Sequence, residues 1–303
     1  MTVLLVTSST WPTGEPGAEA LDQALAARRI EARWVCWDDP TVDWSGADLV
    51  AVRSPWDYMA RPEEFLAWAA AVDRDGRLLN GADVFAWNLD KIYLTALGDL
   101  PVVPTRDAVD LSGLVRAVEE FGTAVVKPRV GAGGAGVLLV DDPADPRLGQ
   151  EIWDHPELPV ARGPWVVQPL VESVRTEGET SVFVLDGRAV AQVDKLPGGH
   201  EVRVHEHFGG ASRAVPLRGE AADLALRALA RVGELLGHPL DYGRVDQLRL
   251  ADGTLVVSEL EVTEPGLYLD VLPGNAEAFT DLVAARLADG PSEGPFGGPS
   301  DGD

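Results

Sequence analysis

The feature that most constrains the fold is an alternation of strand and helix patterns in the first 90 residues. Apolar, β-branched runs typical of buried strands are each separated by segments with helical spacing of apolar residues. The strand patterns occupy residues 3–9, 32–37 and 48–54, and the helix patterns occupy residues 17–29 and 62–72. This alternation predicts a doubly wound α/β unit around a parallel sheet.

Two loops of this unit directly follow strand patterns, namely SSTWPTGEPG (8–17) and RSPWDYMARP (53–62). In open α/β sheets, ligands bind outside the carboxyl ends of the strands. We therefore expect Ser9, Arg53, Trp56 and Asp57 to contact a substrate. The alternative for the second loop is that an Arg53–Asp57 ion pair only ties it down.

The rest of the chain has a different organisation. A helix is predicted over residues 83–98, and PVVPTRD (101–107) reads as a linker. A second unit follows, with a helix over 112–121 and strands over 124–128 and 136–140 on either side of a glycine-rich loop. From about residue 165 the pattern is rich in strands, with helices over 220–236 and 275–288. The 303 residues are enough for two or three packed units.

Composition narrows the classes of partner and compartment. No apolar run approaches the roughly 20 residues of a membrane span, and the first residues lack the basic start and cleavage site of a signal peptide. Cys36 is the only cysteine, so an internal disulfide is impossible, and we expect a cytoplasmic protein without a membrane partner. The net charge of −24 argues against nucleic acid as a partner.

Lysine is rare in this chain. Only Lys91, Lys127 and Lys195 are lysines among 25 basic residues. A GC-rich genome would replace lysine codons with arginine codons, and under that pressure a remaining lysine is more often one whose compact ammonium group is needed.

The glycine-rich loop, KPRVGAGGAGV (127–137), contains Gly131, Gly133 and Gly134. Its spacing matches G-x-G-x-x-G, but a strand follows it where a dinucleotide site needs a helix, and no Gly-Lys-Ser/Thr of a P-loop is present. A flexible hairpin of this kind can lay backbone N–H groups over phosphates. Lys127, just before the loop, favours phosphate binding over a plain flexible turn.

A hairpin near the carboxyl end places acidic residues together. In RVDQLRLADGTLVVSELEV (244–262), a two-residue turn at Asp252-Gly253 is predicted. That turn sets Asp246 opposite Glu259.

The same register sets Arg244 opposite Glu261, so three carboxylates share one face of the hairpin. They would repel one another unless a cation lies among them, and an all-oxygen cluster suits Mg²⁺. The alternative is a network of ion pairs with Arg244 and Arg203.

Taken in chain order, these pieces resemble the ATP-grasp superfamily, and within it the glutathione-synthetase-like carboxylate–amine ligases. The resemblance covers about residues 1–290. It rests on Lys91, Lys127, the glycine loop, WVVQPLVE (165–172), GET (178–180), Asp246 and ELE (259–261). It implies an α/β (α+β) ATP-grasp fold. The implied division is an N-terminal pre-ATP-grasp domain (1–100), central and C-terminal ATP-grasp subdomains (101–172 and 173–290) and a Gly/Pro/Ser-rich disordered tail (291–303).

The resemblance also implies roles for individual residues, with ATP and Mg²⁺ as cofactors. The ATP phosphates would be held by Lys91, Lys127, Gly131, Gly133 and Gly134, the adenine edge by Gln168 and the backbone of Leu170 and Val171, and the ribose by Glu179. Mg²⁺ would be bound by Asp246, Glu259 and Glu261, the last standing where this family usually has Asn. Arg244 would stabilise a developing anion, Lys195 and Arg203 would bind substrate or the transferred phosphate, and Glu264 would contact a substrate amine.

One histidine pair remains open to two interpretations. His205 and His207 would share a strand face, which we interpret as a polar strand lining the cleft rather than as a metal site.

The implied reaction is ATP-dependent activation of a small amino-acid carboxylate as an acyl phosphate, which an amine then attacks. SSTWPTGEPG, RSPWDY and ELEVTEPGLYL are similar to cyclo-ligases that close O-ureido-D-serine to D-cycloserine in antibiotic biosynthesis. The alternatives are an intermolecular amino-acid or peptide ligase, a small-molecule kinase and a non-catalytic nucleotide-binding protein. The family suggests a homodimer.

Overall fold

The computed structural model describes residues 1–289, except the side chain of Asp75, so the predicted tail at 291–303 lies outside the described residues. The first unit is built on a parallel sheet in the order β2-β1-β3, as the alternation predicts. Residues 3–6 of the central strand are fully buried because both faces of the sheet are covered. Its elements are β1 (Thr2–Thr7), α1 (Glu19–Ala27), β2 (Glu31–Cys36), β3 (Leu49–Ser54), a 3₁₀ helix (Trp56–Ala60) and α2 (Pro62–Val72).

The single helix predicted over residues 83–98 is wrong in extent. Helix α3 ends early (Ala82–Asn88), and a 3₁₀ helix (Lys91–Thr95) follows it. Asp90 leaves the helical backbone at φ −100°, ψ 111°, and its carboxylate accepts a hydrogen bond from the N–H of Ile92. This second start turns Lys91 toward the glycine loop, where its N–H donates to the carbonyl of Arg129 at 2.8 Å.

The central unit is a four-stranded antiparallel sheet in the order β4-β7-β5-β6 with one covering helix. Strand β6 begins two residues later than predicted, because Gly136 takes a left-handed φ of +69° that ends the glycine loop. The elements are β4 (Arg106–Ala108), α4 (Leu111–Phe121), β5 (Ala124–Pro128), β6 (Leu138–Val140) and β7 (Trp165–Pro169).

The last unit is a five-stranded antiparallel sheet in the order β10-β9-β8-β11-β12. Its helices match the predicted ranges to within one residue. The elements are β8 (Glu179–Leu185), β9 (Arg188–Leu196), β10 (Ala211–Val215), α5 (Gly219–Leu236), β11 (Tyr242–Arg249), β12 (Leu255–Glu261) and α6 (Gly274–Asp289). Short 3₁₀ helices also occur at Asp73–Asp75, Glu172–Arg175 and Glu206–Phe208.

The N-terminal unit covers the exposed edge of this sheet. Strand β12 is an edge strand, and an unpaired edge would leave its backbone groups open. The side chains of Asn88 and Tyr93 bond to the backbone of β12 around Leu260. The backbone N–H of Val103 also donates to the carbonyl of Val257 at 2.9 Å, and the N–H of Val257 donates to the carbonyl of Pro101 at 2.8 Å. The strand that carries the acidic residues is therefore fixed by the N-terminal unit. Within residues 1–289, no helix is long and apolar enough to cross a bilayer.

Candidate active site

The hairpin that carries the carboxylates has the predicted pairs but a different turn. Asp246 lies opposite Glu259 and Arg244 lies opposite Glu261, as predicted. The turn is one residue longer, because Leu250 bonds to Thr254 at 2.8 Å around a three-residue loop (251–253).

A bulge compensates for the longer turn. Gln247 pairs with Val257 while Asp246 pairs with Glu259, which leaves Ser258 as an extra residue in β12. Without this bulge, Glu259 and Glu261 would point to the opposite face of the sheet. The predicted two-residue turn is wrong, yet two offsetting shifts of one residue preserve the predicted facing pairs.

One cleft of about 390 Å³ lies between the four-stranded and five-stranded sheets, and loops of the N-terminal unit close one end. All the predicted site residues line it except Ser9, Arg53 and Asp57. The cleft therefore brings together two lysines, the glycine loop and the three hairpin carboxylates from segments that lie far apart in sequence.

The three exceptions lie elsewhere, which corrects the expectation that they touch a substrate. Arg53 is fully buried, with a guanidinium nitrogen 3.5 Å from the carboxylate of Glu15. Asp57 accepts a hydrogen bond from the indole N–H of Trp37 at 2.9 Å, and Ser9 is exposed outside the lining. The alternative Arg53–Asp57 ion pair is not formed either. Arg53 belongs to strand β3, so its side chain enters the protein core instead of following the loop.

Asp246 is the most heavily bonded of the carboxylates. Arg244 donates to both of its oxygens at 3.0 Å, Lys195 donates at 3.1 Å, and Ser181 adds a hydroxyl hydrogen bond. Burial alone would raise the pKa of Asp246, but the positive charges of Arg244 and Lys195 outweigh it and hold the pKa below its usual value. Asp246 is thus a fixed anion.

Glu261 has the opposite character. It also contacts Arg244, but burial raises its pKa to about 8, because Arg244 is shared with Asp246 and the neighbouring carboxylates repel a further charge. Arg203 does not join this network and instead binds Asp154 at 2.5 Å. The ion pairs expected in the alternative interpretation therefore involve Arg244, with Lys195 in the place of Arg203.

Lys91 and Lys127, which also line the cleft, differ in their partners. The ammonium of Lys91 lies 2.8 Å from Glu259 and donates to the carbonyl of Gly131 at 2.7 Å. Burial would raise the pKa of Glu259, but Lys91 and Lys127 lower it below the usual value. No carboxylate within residues 1–289 lies within 4.0 Å of the ammonium of Lys127.

The hairpin carboxylates fit Mg²⁺ carried by a phosphate better than a preformed cage. In the part of the chain that the structure describes, no group of three or more His, Cys, Asp or Glu side chains is placed to hold a metal. Mg²⁺ typically needs only one or two protein carboxylates and takes its other ligands from phosphate and water. Glu259 and Glu261 are partly exposed to the cleft and supply only oxygen. A triphosphate entering here would add negative charge that a divalent cation would offset.

Three segments, the glycine loop among them, pack together at the cleft as a lid. The N–H of Gly136 donates to Asp154 at 2.9 Å, and Arg203 binds the same carboxylate. The sequence predicts that His205 and His207 share a strand, and this is wrong. His205 directly precedes the 3₁₀ helix Glu206–Phe208, and His207 lies within it. The ring of His155 lies 4.2 Å from that of His207. We call residues 131–137, 152–158 and 201–208 together the lid.

Several site residues were missed from the sequence. Asp154 and His155 lie in a segment with no strand or glycine pattern, so nothing in the sequence marks them. Trp11 and Tyr58 lie in the two loops singled out above, and the same rule on strand ends could have found them. Trp11 packs edge-on against Trp56 at 5.0 Å, and the hydroxyl of Tyr58 donates to Glu264.

Comparison with known proteins assigns the chain to a family. Residues 3–80 match the model of the D-cycloserine synthetase DcsG N-terminal domain, and residues 90–236 match that of the prokaryotic glutathione synthetase ATP-grasp domain. The cycloserine biosynthesis protein DcsG of Streptomyces lavendulae is 35% identical over 269 residues, which is 84% of this chain and 88% of that protein. The chain belongs to the DcsG family of ATP-grasp proteins.

Solved structures agree with this assignment to the DcsG family. A crystal structure of D-cycloserine synthetase DcsG superposes with a TM-score of 0.80 at 30% identity, and the match covers 95% of this chain and 100% of that one. D-alanine–D-alanine ligase from Bacillus anthracis superposes with a TM-score of 0.66, and the match covers 95% of this chain and 98% of that one. Because the identity is only 13%, this match shows the fold alone. The ATP-grasp fold and the glutathione-synthetase-like family expected from the sequence are both confirmed.

Proposed function

We propose that this protein is an ATP-dependent carbon–nitrogen ligase that activates the carboxylate of a small amino acid as an acyl phosphate. The observation that carries the proposal is the arrangement across the cleft. Lys127 and the glycine loop line it together with the oxygen ligands of the hairpin, and Lys91 joins the two, bonded to both Gly131 and Glu259. Such an arrangement suits a triphosphate with its Mg²⁺.

ATP would bind with its base at the edge of β7. The N–H of Leu170 is already bonded to the carbonyl of Thr123 at 2.9 Å, so the carbonyl of Leu170 and the N–H of Val171 are the groups we assign to the adenine edge. The amide of Gln168 donates to Thr105 at 3.0 Å, which orients its oxygen. Glu179, bound to Lys195 at 2.5 Å, would accept the ribose hydroxyls.

The chain's own residues would bind, orient and shield the reacting groups. Lys91 and Lys127 would hold the phosphates, and Asp246, Glu259 and Glu261 would hold Mg²⁺, which supplies charge neutralisation at the phosphates when bound. The γ-phosphate would pass to the substrate carboxylate, a nitrogen would attack the carboxyl carbon, and inorganic phosphate would leave. The lid would exclude water, which otherwise hydrolyses an acyl phosphate.

For the substrate we propose O-ureido-D-serine, closed to D-cycloserine by a nitrogen of the same molecule. The similarity to D-cycloserine synthetase DcsG over most of the chain supports this choice. The attacking nitrogen carries a carbamoyl group that the product lacks, so one water must also remove that group, which leaves as carbon dioxide and ammonia. ATP would supply the activation and leave as ADP and phosphate.

A screen for ADP release tests the proposal. Purified protein with ATP and Mg²⁺ is offered O-ureido-D-serine and common amino acids singly and in pairs, and the products are identified by mass spectrometry. We expect ADP release with O-ureido-D-serine alone, with D-cycloserine as product and a hydroxamate when hydroxylamine is added. A phosphorylated product without a hydroxamate would indicate a kinase, and turnover only with pairs of substrates would indicate an intermolecular ligase.

Arg244 is the residue we assign to the anion that develops at the carboxyl carbon. Losing one preorganised donor of this kind typically costs about 3 kcal/mol, so we expect Arg244→Ala to lower turnover at least about a hundredfold. ATP affinity, measured by calorimetry, should change little. If ATP affinity collapses while turnover at saturation survives, Arg244 serves the nucleotide instead.

A further inference from the structure

The carboxylates of the cleft are paired with cations, with one exception among those that are buried. Asp246, Glu259 and Glu261 are paired as described above, Glu179 is paired with Lys195, and Glu15 is paired with Arg53. Within residues 1–289, Glu264 is the buried carboxylate of the lining that has no lysine, arginine or histidine nitrogen within 4.0 Å. It is only 8% exposed.

Glu264 is held firmly in place despite lacking a cation. The hydroxyl of Tyr58, itself buried, donates to one carboxylate oxygen. The indole N–H of Trp56 donates to the backbone carbonyl of Glu264 at 3.3 Å. Burying a carboxylate without a counter-charge is unfavourable, and burial raises the pKa of Glu264 accordingly. A costly side chain fixed in a cleft by two bonds from the loop at 53–62 is better explained by a ligand than by stability.

The surroundings indicate the charge and size of that ligand. Trp11 and Trp56 form an aromatic wall at this end of the cleft, and aromatic faces attract ammonium groups. The loop that carries Glu264 also contacts Arg244, which donates to the carbonyl of Gly266 at 3.4 Å. A small molecule with an ammonium group next to a carboxylate could therefore reach Glu264 and Arg244 together.

We propose that Glu264, oriented by Tyr58, binds the ammonium group of the substrate and thereby selects an amino acid over a carboxylic acid that lacks the amine. The assignment rests on the proposed ligase function, since it places the reacting carboxylate beside Arg244. The competing role for Glu264 is a general base that takes a proton from the attacking nitrogen. A base would change turnover, whereas a binding group changes the concentration of substrate that is needed.

The test compares two substrates on the full-length protein. One is O-ureido-D-serine, and the other is the same molecule with hydrogen in place of its amino group. We expect the wild type to prefer the substrate that carries the amino group by at least about 100-fold in kcat/KM, because the analogue leaves the buried carboxylate of Glu264 without a partner. Glu264→Gln should remove most of that preference by raising KM for the amine substrate, with little change for the analogue. Tyr58→Phe should do the same to a smaller extent, about tenfold.

Asp270→Asn is the matched control, since Asp270 is an exposed carboxylate at the rim with no cation within 4.0 Å, and we expect it to leave both substrates unchanged. The proposal would be overturned if Glu264→Gln lowered kcat/KM equally for both substrates, or if it lowered kcat and left KM unchanged. A wild type that turns over the analogue as well as the amine would also overturn it.

The ligase proposal can fail separately. If the wild type releases no ADP with any substrate, calorimetry with O-ureido-D-serine still decides the role of Glu264. If Glu264→Gln no longer binds this substrate and Asp270→Asn still does, the ammonium site is supported. Equal binding by both variants, or no binding by the wild type, overturns it.

Discussion

Lys91, Lys127 and Lys195 all line the same cleft, and their partners differ. Lys195 bridges Glu179 and Asp246, and Lys91 binds Glu259, so both already serve the folded protein. Lys127 has no carboxylate within 4.0 Å in residues 1–289. A half-buried ammonium without a counter-ion is poised for an anionic ligand.

This contrast between two lysines predicts opposite effects on stability. Lys127→Met should weaken ATP binding by about tenfold or more, because a charge-assisted hydrogen bond is worth about 1.5–3 kcal/mol. Its free energy of unfolding, measured with a chemical denaturant, should stay near that of the wild type. Lys91→Met should weaken ATP binding too, but it should also lower the free energy of unfolding, since it leaves Glu259 without a partner. Equal destabilisation by both variants would contradict this assignment.

At the residue scale, the residues that chemistry and spacing single out together lie in one place, and their roles there stay predictions. Rare lysines, the glycine loop and the hairpin acids all line the cleft. The predicted position of Arg53 in a substrate loop is wrong, because a charged residue at the end of an apolar run can turn into the core where a buried carboxylate pairs with it. That carboxylate, Glu15, lies 38 residues earlier, and no local pattern links the two.

At the scale of elements, the hairpin shows what local rules can and cannot fix. The predicted facing pairs of β11 and β12 are correct only because two shifts cancel. The turn is one residue longer than predicted, with Gly253 at a φ of +89° completing a three-residue loop, and the bulge at Ser258 restores the register. The bulge at Ser258 then depends on bonds from the N-terminal unit to the edge of β12, which are long-range in sequence. Such bonds cannot be inferred from the hairpin itself.

The glycine loop offers a prediction with a control in the same loop. A Cβ at Gly136 would lie 2.2 Å from the Cβ of Ala161, and its φ is left-handed, so Gly136→Ala must displace the lid. We expect a KM for ATP about tenfold higher and more ADP released per product formed, since water reaches the acyl phosphate. At Gly131 the nearest atom would be 3.6 Å away, so Gly131→Ala should have a much smaller effect. Equal effects would show that the lid does not depend on this contact.

The lid also has a predicted response to pH. Burial, helped by nearby cationic groups, lowers the pKa of His155, and its Nδ1 accepts a hydrogen bond from the N–H of Glu157 at 3.3 Å. The charged and titratable groups that face it are Asp154, Glu157, Arg203, His205 and His207. Because the folded pKa lies below the unfolded value of about 6.5, the stability from neutral His155 is full above that pH and is lost as pH falls.

Hydrogen exchange at pH 7.5 and 5.5, corrected for intrinsic rates, measures this response of the lid. We expect residues 131–137 and 152–158 to lose protection at the lower pH in the wild type, and to lose much less in His155→Gln. A wild type and a variant with the same pH dependence would assign the effect to another group.

At the scale of the whole molecule, the contacts divide the chain differently from the order of its sequence. The parallel sheet and the five-stranded sheet share buried clusters, in which Leu5 and Phe183 pack in one and Val52 and Val182 in another. The four-stranded sheet has a cluster of its own around Leu114. The first and last units should therefore unfold together and lose hydrogen-exchange protection together, although the central unit separates them in sequence.

Two reciprocal variants test this coupling. The buried amide of Asn88 donates to Leu260 at 2.9 Å and accepts from Val262 and Thr263, so Asn88→Ala leaves several backbone and hydroxyl groups unpaired and should cost about 2–4 kcal/mol. Hydrogen exchange should rise in both the N-terminal unit and β11–β12, with β5 and β7 protected as before. Leu114→Ala should do the reverse, because a cavity in the small central core costs about 2–5 kcal/mol there. If both variants raise exchange everywhere to the same extent, the chain unfolds as one unit and the lid cannot open on the central sheet alone.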